Sequence, residues 1–390
     1  MENRSAILAI IVFAQFACVS LWFAGNGVLD NLIDEYQLNG KVLGHLTSAV
    51  QLGFIIGTLF YAFYSLADRI SPSKVFFFSA IIASLANLAL IFADGQLLFM
   101  YGSRFITGFF LAGIYPVGMK IAADYFDKDL GKALGYLLGA LVLGTAFPHL
   151  LQSILIDFPW QNVIICISAL AVLGGTIVYI FVPDGPFRKK LTTFDKGIIF
   201  KIFRERNFRA TAFGYFGHMW ELYAFWTFIP VMLATLIFSL KETHGEIAFF
   251  TFYIIATGSL SCIIGGYIAR RVGSYKVAFT ALALSGTCCL VSPLVFTLNP
   301  AFIFVFLLFW GFVVIMDSPQ FSTLIAQTAP AENKGSALTI VNCLGFAITI
   351  VSIQLLNFLS GVISFEWLYL FLFPGPLLGL LAMLQREAVN

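Results

Sequence analysis

Uninterrupted apolar runs of about 20 residues recur from one end of this 390-residue chain to the other, and that is the length a helix needs to cross the hydrocarbon core of a bilayer. Charge is scarce: 11% of the residues are Asp, Glu, Lys or Arg, against about 25% in a soluble globular domain. Mean hydropathy is +0.93. So few charges cannot cover the water-facing surface of a chain this long. A β-barrel would show short stretches of alternating apolar and polar residues, and none recur. The chain therefore reads as an all-α polytopic membrane protein. Twelve spans are expected, at roughly 6–29, 44–67, 75–93, 97–119, 131–155, 161–182, 209–236, 247–269, 276–297, 301–327, 335–360 and 366–385. A basic stretch, "PDGPFRKKLTTFDKGIIFKIFRERNFR", separates six spans from six. The expected division is a bundle over 1–182, a cytoplasmic linker over 183–208 and a second bundle over 209–390.

Orientation follows from the basic residues. With the N-terminus inside, all but three of the 22 Lys and Arg fall on the cytoplasmic side or at its rim; the exceptions are Lys41, Lys241 and Arg104. The outer loops carry Asp30, Asp34, Glu35, Asp94, Asp157, Glu242, Glu246 and Glu366 instead. The positive-inside rule thus puts both termini in the cytoplasm of a multi-pass protein of the inner (plasma) membrane. The net charge of +2 carries no message about nucleic acid. The first apolar run is longer than a signal-peptide core and reads as a retained span. All six cysteines fall in expected spans without metal-ligand spacing, so they read as small packing residues.

Three landmarks recur in one order. "SLADRISPSK" from Ser65 returns as "YIARRVGSYK" from Tyr267, an offset of 202; "GKALG" at Gly131 returns as "GSALT" at Gly335, an offset of 204; "FPW" at Phe158 returns as "FEW" at Phe365, an offset of 207. An even number of spans per repeat makes the two halves cross the membrane in the same sense, related by an axis along the membrane normal with a site near mid-membrane.

At these residues the chain resembles the major facilitator superfamily. "SLADRISPSK" is similar to that family's cytoplasmic signature between spans 2 and 3, with Asp68 and Arg69 at its core. Ser71 stands where the family usually has Gly, and Arg270 stands where the second copy would carry an acid. "YGSRFITGFFLAG" resembles the fourth-span motif and places its arginine at Arg104. The resemblance implies a twelve-helix fold of two parallel six-helix repeats, alternating access, and a cavity lined by spans 1, 4, 7 and 10. It implies a cytoplasmic gate at Asp68, Arg69, Arg270 and Arg271, against the plainer reading that these are solvated charges that fix topology. A carboxylate at Asp68 can also take hydrogen bonds from a facing helix N-terminus.

Only Arg104, Glu221 and Asp317 remain charged well inside expected spans. Each costs at least ~2.5–3.5 kcal/mol at a helix centre unless it meets water or a partner. His218 lies three residues before Glu221, on the same helical face. Arg104, His218, Glu221 and Asp317 are therefore the expected substrate and proton-coupling residues. Helical spacing groups further side chains with them: Gln15, Trp22 and Asn26 on span 1, Tyr115 on span 4, Phe225 on span 7, Trp310 and Gln320 on span 10. Asn342 on span 11 completes the expected cavity lining. Against a coupling role stands the plainer reading that these ionisable groups lock helices together. His149, after Pro148, reads as structural.

No HExxH, GxSxG or phosphate loop occurs, so neither an enzyme nor a nucleotide-driven pump is expected of this chain, and no cofactor or metal. The expected function is secondary active transport of a small polar or zwitterionic organic solute, coupled to protons. Its partners are the solute, the proton and the lipid bilayer, with no nucleic acid, and the protein is expected to be a monomer. The competing reading is a proton-driven efflux pump for amphipathic or cationic drugs, which the 16% aromatic content suits through cation–π contacts.

Overall fold

A computed structural model describes residues 4–126, 130–188, 202–236, 244–329 and 334–386. Every regular element among them is helical. Ten helices are long and apolar enough to cross a membrane, and Arg4–Val19 is a shorter apolar helix. The expected spans outside those ten are 6–29 and 209–236. The first is interrupted, and the second is the 31-residue helix Arg206–Leu236, whose apolar character is diluted by His218 and Glu221. Residues 189–201 of the basic linker, and Lys241 and Glu242, lie outside the described residues.

The chain separates into two compact units, Met1–Thr193 with Glu242–Ser259, and Phe194–Lys241 with Leu260–Asn390. Before the linker, the helices are α1 (Arg4–Val19), α2 (Ala24–Gly27), α3 (Leu29–Tyr36), α4 (Val42–Phe63), α5 (Leu66–Arg69), α6 (Pro72–Ala89), α7 (Leu97–Leu111), α8 (Tyr115–Tyr125), α9 (Leu130–Ile154) and α10 (Gln161–Phe181). After it come α11 (Arg206–Leu236), α12 (His244–Val272), α13 (Ser274–Val295), α14 (Pro300–Val313), α15 (Ser318–Thr328), α16 (Lys334–Leu359) and α17 (Pro374–Leu384), with a 3₁₀ segment at Phe365–Leu372. In the first unit α4 packs along α7, and α10 along α1 and α6; in the second, α11 packs along α16 and α17. The α4–α7 seam is backbone on backbone. A Cβ added at Gly53 would lie 2.0 Å from the Phe105 carbonyl oxygen, and one at Gly108 would lie 2.0 Å from that of Val50. Small residues permit this approach in lipid, where van der Waals contact replaces the hydrophobic effect as the force between helices.

Spans 4 and 10 break in matching places. The first runs as α7 then α8, the second as α14 then α15, and in each the second piece carries a proline at its second position, Pro116 and Pro319. The starts Leu97 and Pro300, the restarts Tyr115 and Ser318, and the ends Tyr125 and Thr328 all stand at one and the same offset along the chain. The joints are tight turns: Ile114 N–H donates to the Leu111 carbonyl, Met316 to Val313, and Ser318 to Ile315. Proline has no N–H to donate, and at the second position of a restarted helix that loss costs little, because the first-turn N–H groups have no helical partner in any case.

Span 1 breaks as well, between α1 and α2. Leu21 N–H donates to Cys18 O and Trp22 N–H to Val19 O, both three residues back. Arg104, on α7 and fully buried, reaches this joint: Nη2 donates to the carbonyls of Leu21 (2.8 Å) and Trp22 (2.6 Å), and Nη1 donates to Asn87 Oδ1 (2.8 Å). Asn87 passes the contact to Ser168 Oγ at 2.9 Å. One guanidinium thus ties spans 1, 3 and 4, and through Asn87 span 6, at a joint that water cannot serve. Gly25 leaves room for it; a Cβ there would stand 3.3 Å from Arg104 Nε.

Arg104→Met should melt well below wild type in detergent, because buried groups left without partners cost about 1–3 kcal/mol each. Arg104→Lys should recover only part of the loss, since an ammonium lacks the planar fork of donors that reaches several acceptors at once. An unchanged melting temperature for Arg104→Met would contradict the tie. Gly53→Ala should also melt lower, while Gly135→Ala, where an added Cβ meets nothing within 4 Å, should melt at or above wild type.

Candidate functional site

In the second unit, α11, α13, α14 and the joint before α15 bring polar side chains together in apolar surroundings. Glu221 is fully buried on α11. Its Oε1 accepts from Trp310 Nε1 at 2.6 Å, and its Oε2 accepts from Ser285 Oγ at 2.9 Å. Both donors are neutral. Ser285 Oγ also stands 3.2 Å from the Leu282 carbonyl, so its single hydrogen has two acceptors to choose between. Pointed at Glu221, it serves a carboxylate. Turned to Leu282, it leaves its lone pairs to accept from a protonated Glu221. The arrangement accommodates either protonation state without moving a heavy atom.

His218, one turn earlier on α11, faces Asp317 rather than Glu221. Nδ1 lies 2.8 Å from Asp317 Oδ1, an ion-pair distance, although the approach lacks the alignment of a hydrogen bond. His218 Nε2 and Asp317 Oδ2 are buried without a hydrogen-bond partner among the described residues. Asp317 is held here because it is the last residue of the joint before α15; Phe321 N–H donates to its carbonyl at 2.8 Å. Aromatic rings close the space. Tyr215 and Phe321 each lie 6.0 Å from the His218 ring. Phe225 packs on Trp310 at 4.8 Å and on Tyr369 at 5.5 Å, Trp310 lies 5.3 Å from Tyr369, and Tyr369 Oη donates to the Phe225 carbonyl at 2.9 Å.

The residues expected on the first unit form a different group. Asn26 Nδ2 donates to Thr47 Oγ1 at 2.8 Å. Trp22 lies 4.7 Å from Phe54, and Phe54 lies 6.4 Å from Tyr115. Gln15 is fully buried. Arg104 does not reach into this group with a free charge, because both its terminal nitrogens are committed to the joint in span 1 and to Asn87. Elsewhere on the second unit, Gln320 is buried on α15, and Asn342 is partly exposed on α16.

At the loop between spans 2 and 3, Asp68 pairs with Lys120 Nζ at 3.0 Å, and Lys120 lies 3.5 Å from Asp124 one turn further on. Arg188 donates to the carbonyls of Asp68 (3.1 Å) and Ile70 (3.0 Å) and pairs with Asp184. Arg69, Arg270 and Arg271 are exposed, and Arg270 stands over the Tyr267 ring at 5.5 Å. His149 is buried on α9. Among the described residues no group of three His, Cys, Asp or Glu could hold a metal ion.

Several partners are invisible to spacing alone. Ser285, Asn87 and Lys120 are not among the expected residues, and neither is Gln51, a fully buried glutamine on α4. Asn87 and Gln51 do carry a signal, being amides inside apolar runs; Ser285 carries none.

A family model described as Major Facilitator Superfamily matches residues 11–353. Relatives with assigned names are distant. The Probable sulfoacetate transporter SauU of Cupriavidus necator is 24% identical over 289 residues, covering 63% of this chain and 64% of its own length. The Multi-drug resistance efflux pump PmrA homolog of Lactococcus lactis is 24% identical over 275 residues, with 68% and 66% covered. The Galacturonate transporter of Dickeya chrysanthemi is 26% identical over 196 residues, with 44% and 55% covered. The chain thus spans less than two thirds of the length of each of these relatives. With a family match across most of its length and ten helices among the described residues long and apolar enough to cross a membrane, the chain belongs to the major facilitator superfamily.

Proposed function

We propose that this protein is a secondary active transporter of the inner membrane, with twelve spans in two six-helix repeats and both termini cytoplasmic. It acts as a monomer and carries a small polar or zwitterionic organic solute by alternating access, coupled to protons. The observation that carries the reading is the hydrogen-bonding of Glu221, which is buried, held by two neutral donors, and next to a serine whose hydrogen can turn away. A group that binds and releases a proton in hydrocarbon needs partners in both states, and this one has them. Asp317 with His218 supplies a second titratable pair, with one unmatched acceptor and one unmatched ring nitrogen. Asp68, Arg69, Arg270 and Arg271 act at the cytoplasmic gate in this reading, the Asp68–Lys120 pair fastening span 2 to span 4.

A second reading, efflux of amphipathic or cationic compounds, draws on the rings around the acid. Trp310, Phe225 and Tyr369 gather on one side of Glu221, and a desolvated cation over an aromatic face gains ~2 kcal/mol. Several relatives bear multidrug names, and two bear organic-anion names.

Reconstituted proteoliposomes separate these. Under an imposed pH gradient, wild-type protein should accumulate D-mannitol, glycine betaine or galacturonate, whereas accumulation of ethidium alone would favour efflux. Glu221→Gln should lose at least tenfold of the gradient-driven accumulation yet retain exchange of the same probe at equal pH. Transport by Glu221→Gln that keeps its full dependence on the gradient would remove Glu221 from coupling. Asp317→Asn is then expected to show which acid carries the proton, by the same two assays.

A further inference from the structure

Two glutamines in the first unit are fully buried, and neither has a partner. Nε2 and Oε1 of Gln15, and Nε2 and Oε1 of Gln51, are all inaccessible and without a hydrogen bond among the described residues. Buried side-chain amides are almost always satisfied, and leaving one unmatched costs about 1–3 kcal/mol. Two such residues, with all four amide atoms unmatched, are therefore a feature that packing alone does not explain.

The two belong to one place. Gln15 lies about three helical turns after the start of α1 at Arg4, and Gln51 about three turns before the end of α4 at Phe63. Consecutive spans run in opposite directions, so both glutamines sit at a similar depth from the same side. Helix α8 links them. Gly118 leaves room for the Gln15 carboxamide, since a Cβ there would lie 2.4 Å from its Oε1. One turn back on the same face is Tyr115, against Phe54. Phe54 is in turn one turn from Gln51 on α4 and packs on Trp22. The amides thus flank a short aromatic run, Trp22–Phe54–Tyr115.

The chemistry of this place is neutral. Each carboxamide offers two donors and two acceptor lone pairs and no charge. Arg104, the charge that sequence alone puts within the same unit's spans, is committed to the Leu21 and Trp22 carbonyls and to Asn87. A carboxylate placed here would find the guanidinium donors of Arg104 already engaged, and an ammonium would find no acid among these residues, so either would be desolvated without a direct ion-pair partner, at a cost of several kcal/mol. A hydroxyl both donates and accepts, matches an amide on either side, and is cheap to desolvate by comparison. Its carbon skeleton offers an apolar face to a ring.

Resting on the transporter reading above, we infer that Gln15 and Gln51 hold the hydroxyl groups of an uncharged, polyhydroxylated solute, or of the polyhydroxylated part of a larger one. The unmatched amides supply the hydrogen bonds that such a solute needs on leaving water, and their cost in stability is recovered when it binds.

The two effects, binding and stability, can be read on the same variants. Gln15→Met and Gln51→Met keep volume and flexibility while removing the amides. Without ligand, each should melt at or above wild type, because the unmatched groups are gone. Purified full-length protein would be titrated with D-mannitol, D-sorbitol, D-galactose and D-glucose, with sulfoacetate and ethidium as charged comparators. At least one polyol or hexose should raise the wild-type melting temperature, and its affinity should fall tenfold or more in both variants. Silence of all four polyhydroxyl probes overturns the inference. So does an affinity unchanged in the variants, or a lower melting temperature of the ligand-free variants, which would assign the glutamines a structural task. If sulfoacetate or ethidium binds and is accumulated by wild-type proteoliposomes while the polyols are not, this inference fails and the transporter reading stands. If no probe of either kind is moved by a pH gradient, the transporter reading fails independently.

Discussion

A peptide carbonyl that loses its helical partner inside hydrocarbon has no water to turn to, and the free energy at stake is several kcal/mol per group. Among the described residues, spans 1, 4 and 10 are interrupted in mid-course, and each meets that constraint in part by a tighter turn. The ladder tightens to bonds reaching three residues back, as at Trp22, Ile114 and Met316, and at two of the joints a neighbouring helix supplies a donor. At the joint in span 1 the supplier is Arg104. At the joint in span 10 the Cys262 thiol donates to the Ile315 carbonyl at 3.8 Å. At the joint in span 4, Gly113 lets backbone approach the bonded hydroxyls of Tyr61 and Ser79, with an added Cβ only 2.1 Å from Ser79 Oγ. The breaks in spans 1 and 10 thus fall where a second helix already carries a donor for a joint carbonyl.

That constraint also decides what the ionisable residues are free to do. An arginine inside a span reads at first as a charge available to a solute, because its presence there must have a reason. For Arg104 the reason is structural: three acceptors, two of them backbone oxygens at an interrupted helix. Glu221 differs in kind. Its partners are side chains of Trp310 and Ser285, not backbone that must be satisfied for the helix to exist. Neutralising Glu221 leaves no stranded carbonyl, whereas removing Arg104 does. A group whose charge can change without unmaking a helix is the one suited to a changing role.

The architecture is largely legible in the sequence because hydrophobic length is a coarse signal that survives local detail. Span 4, expected over 97–119, runs as Leu97–Tyr125; span 5, expected over 131–155, runs as Leu130–Ile154. The joints are not legible in that way. Pro116 and Pro319 are visible, but proline is tolerated in membrane helices, and only the surrounding helices decide whether it bends or breaks one. The lonely ionisable residues are equally visible, since each is an exception in an apolar run. Their partners are not. Helical spacing groups His218 with Glu221, yet His218 turns to Asp317, far along the chain, because the joint before Ser318 carries Asp317 to α11. Ser285 gives no warning, for serine in a span is ordinary and acquires meaning only beside an acid.

The matched joints of spans 4 and 10 share their geometry and differ in their chemistry. Spans 4 and 10 keep the same lengths, the same restart and the same proline at one constant offset, while the chemistry on them has diverged. Ile114 stands at the joint of span 4, and Asp317 holds the matching place at the joint of span 10. Arg104 in span 4 corresponds to Leu307 in span 10. A break in a helix is costly in hydrocarbon, and the geometry that makes it tolerable is the same in both spans. The side chain projecting from the joint is constrained less, because the turn itself already satisfies most of the backbone. At that place span 10 carries an acid, Asp317, and span 4 an apolar residue, Ile114, and a titratable pair stands in one unit while neutral amides stand in the other.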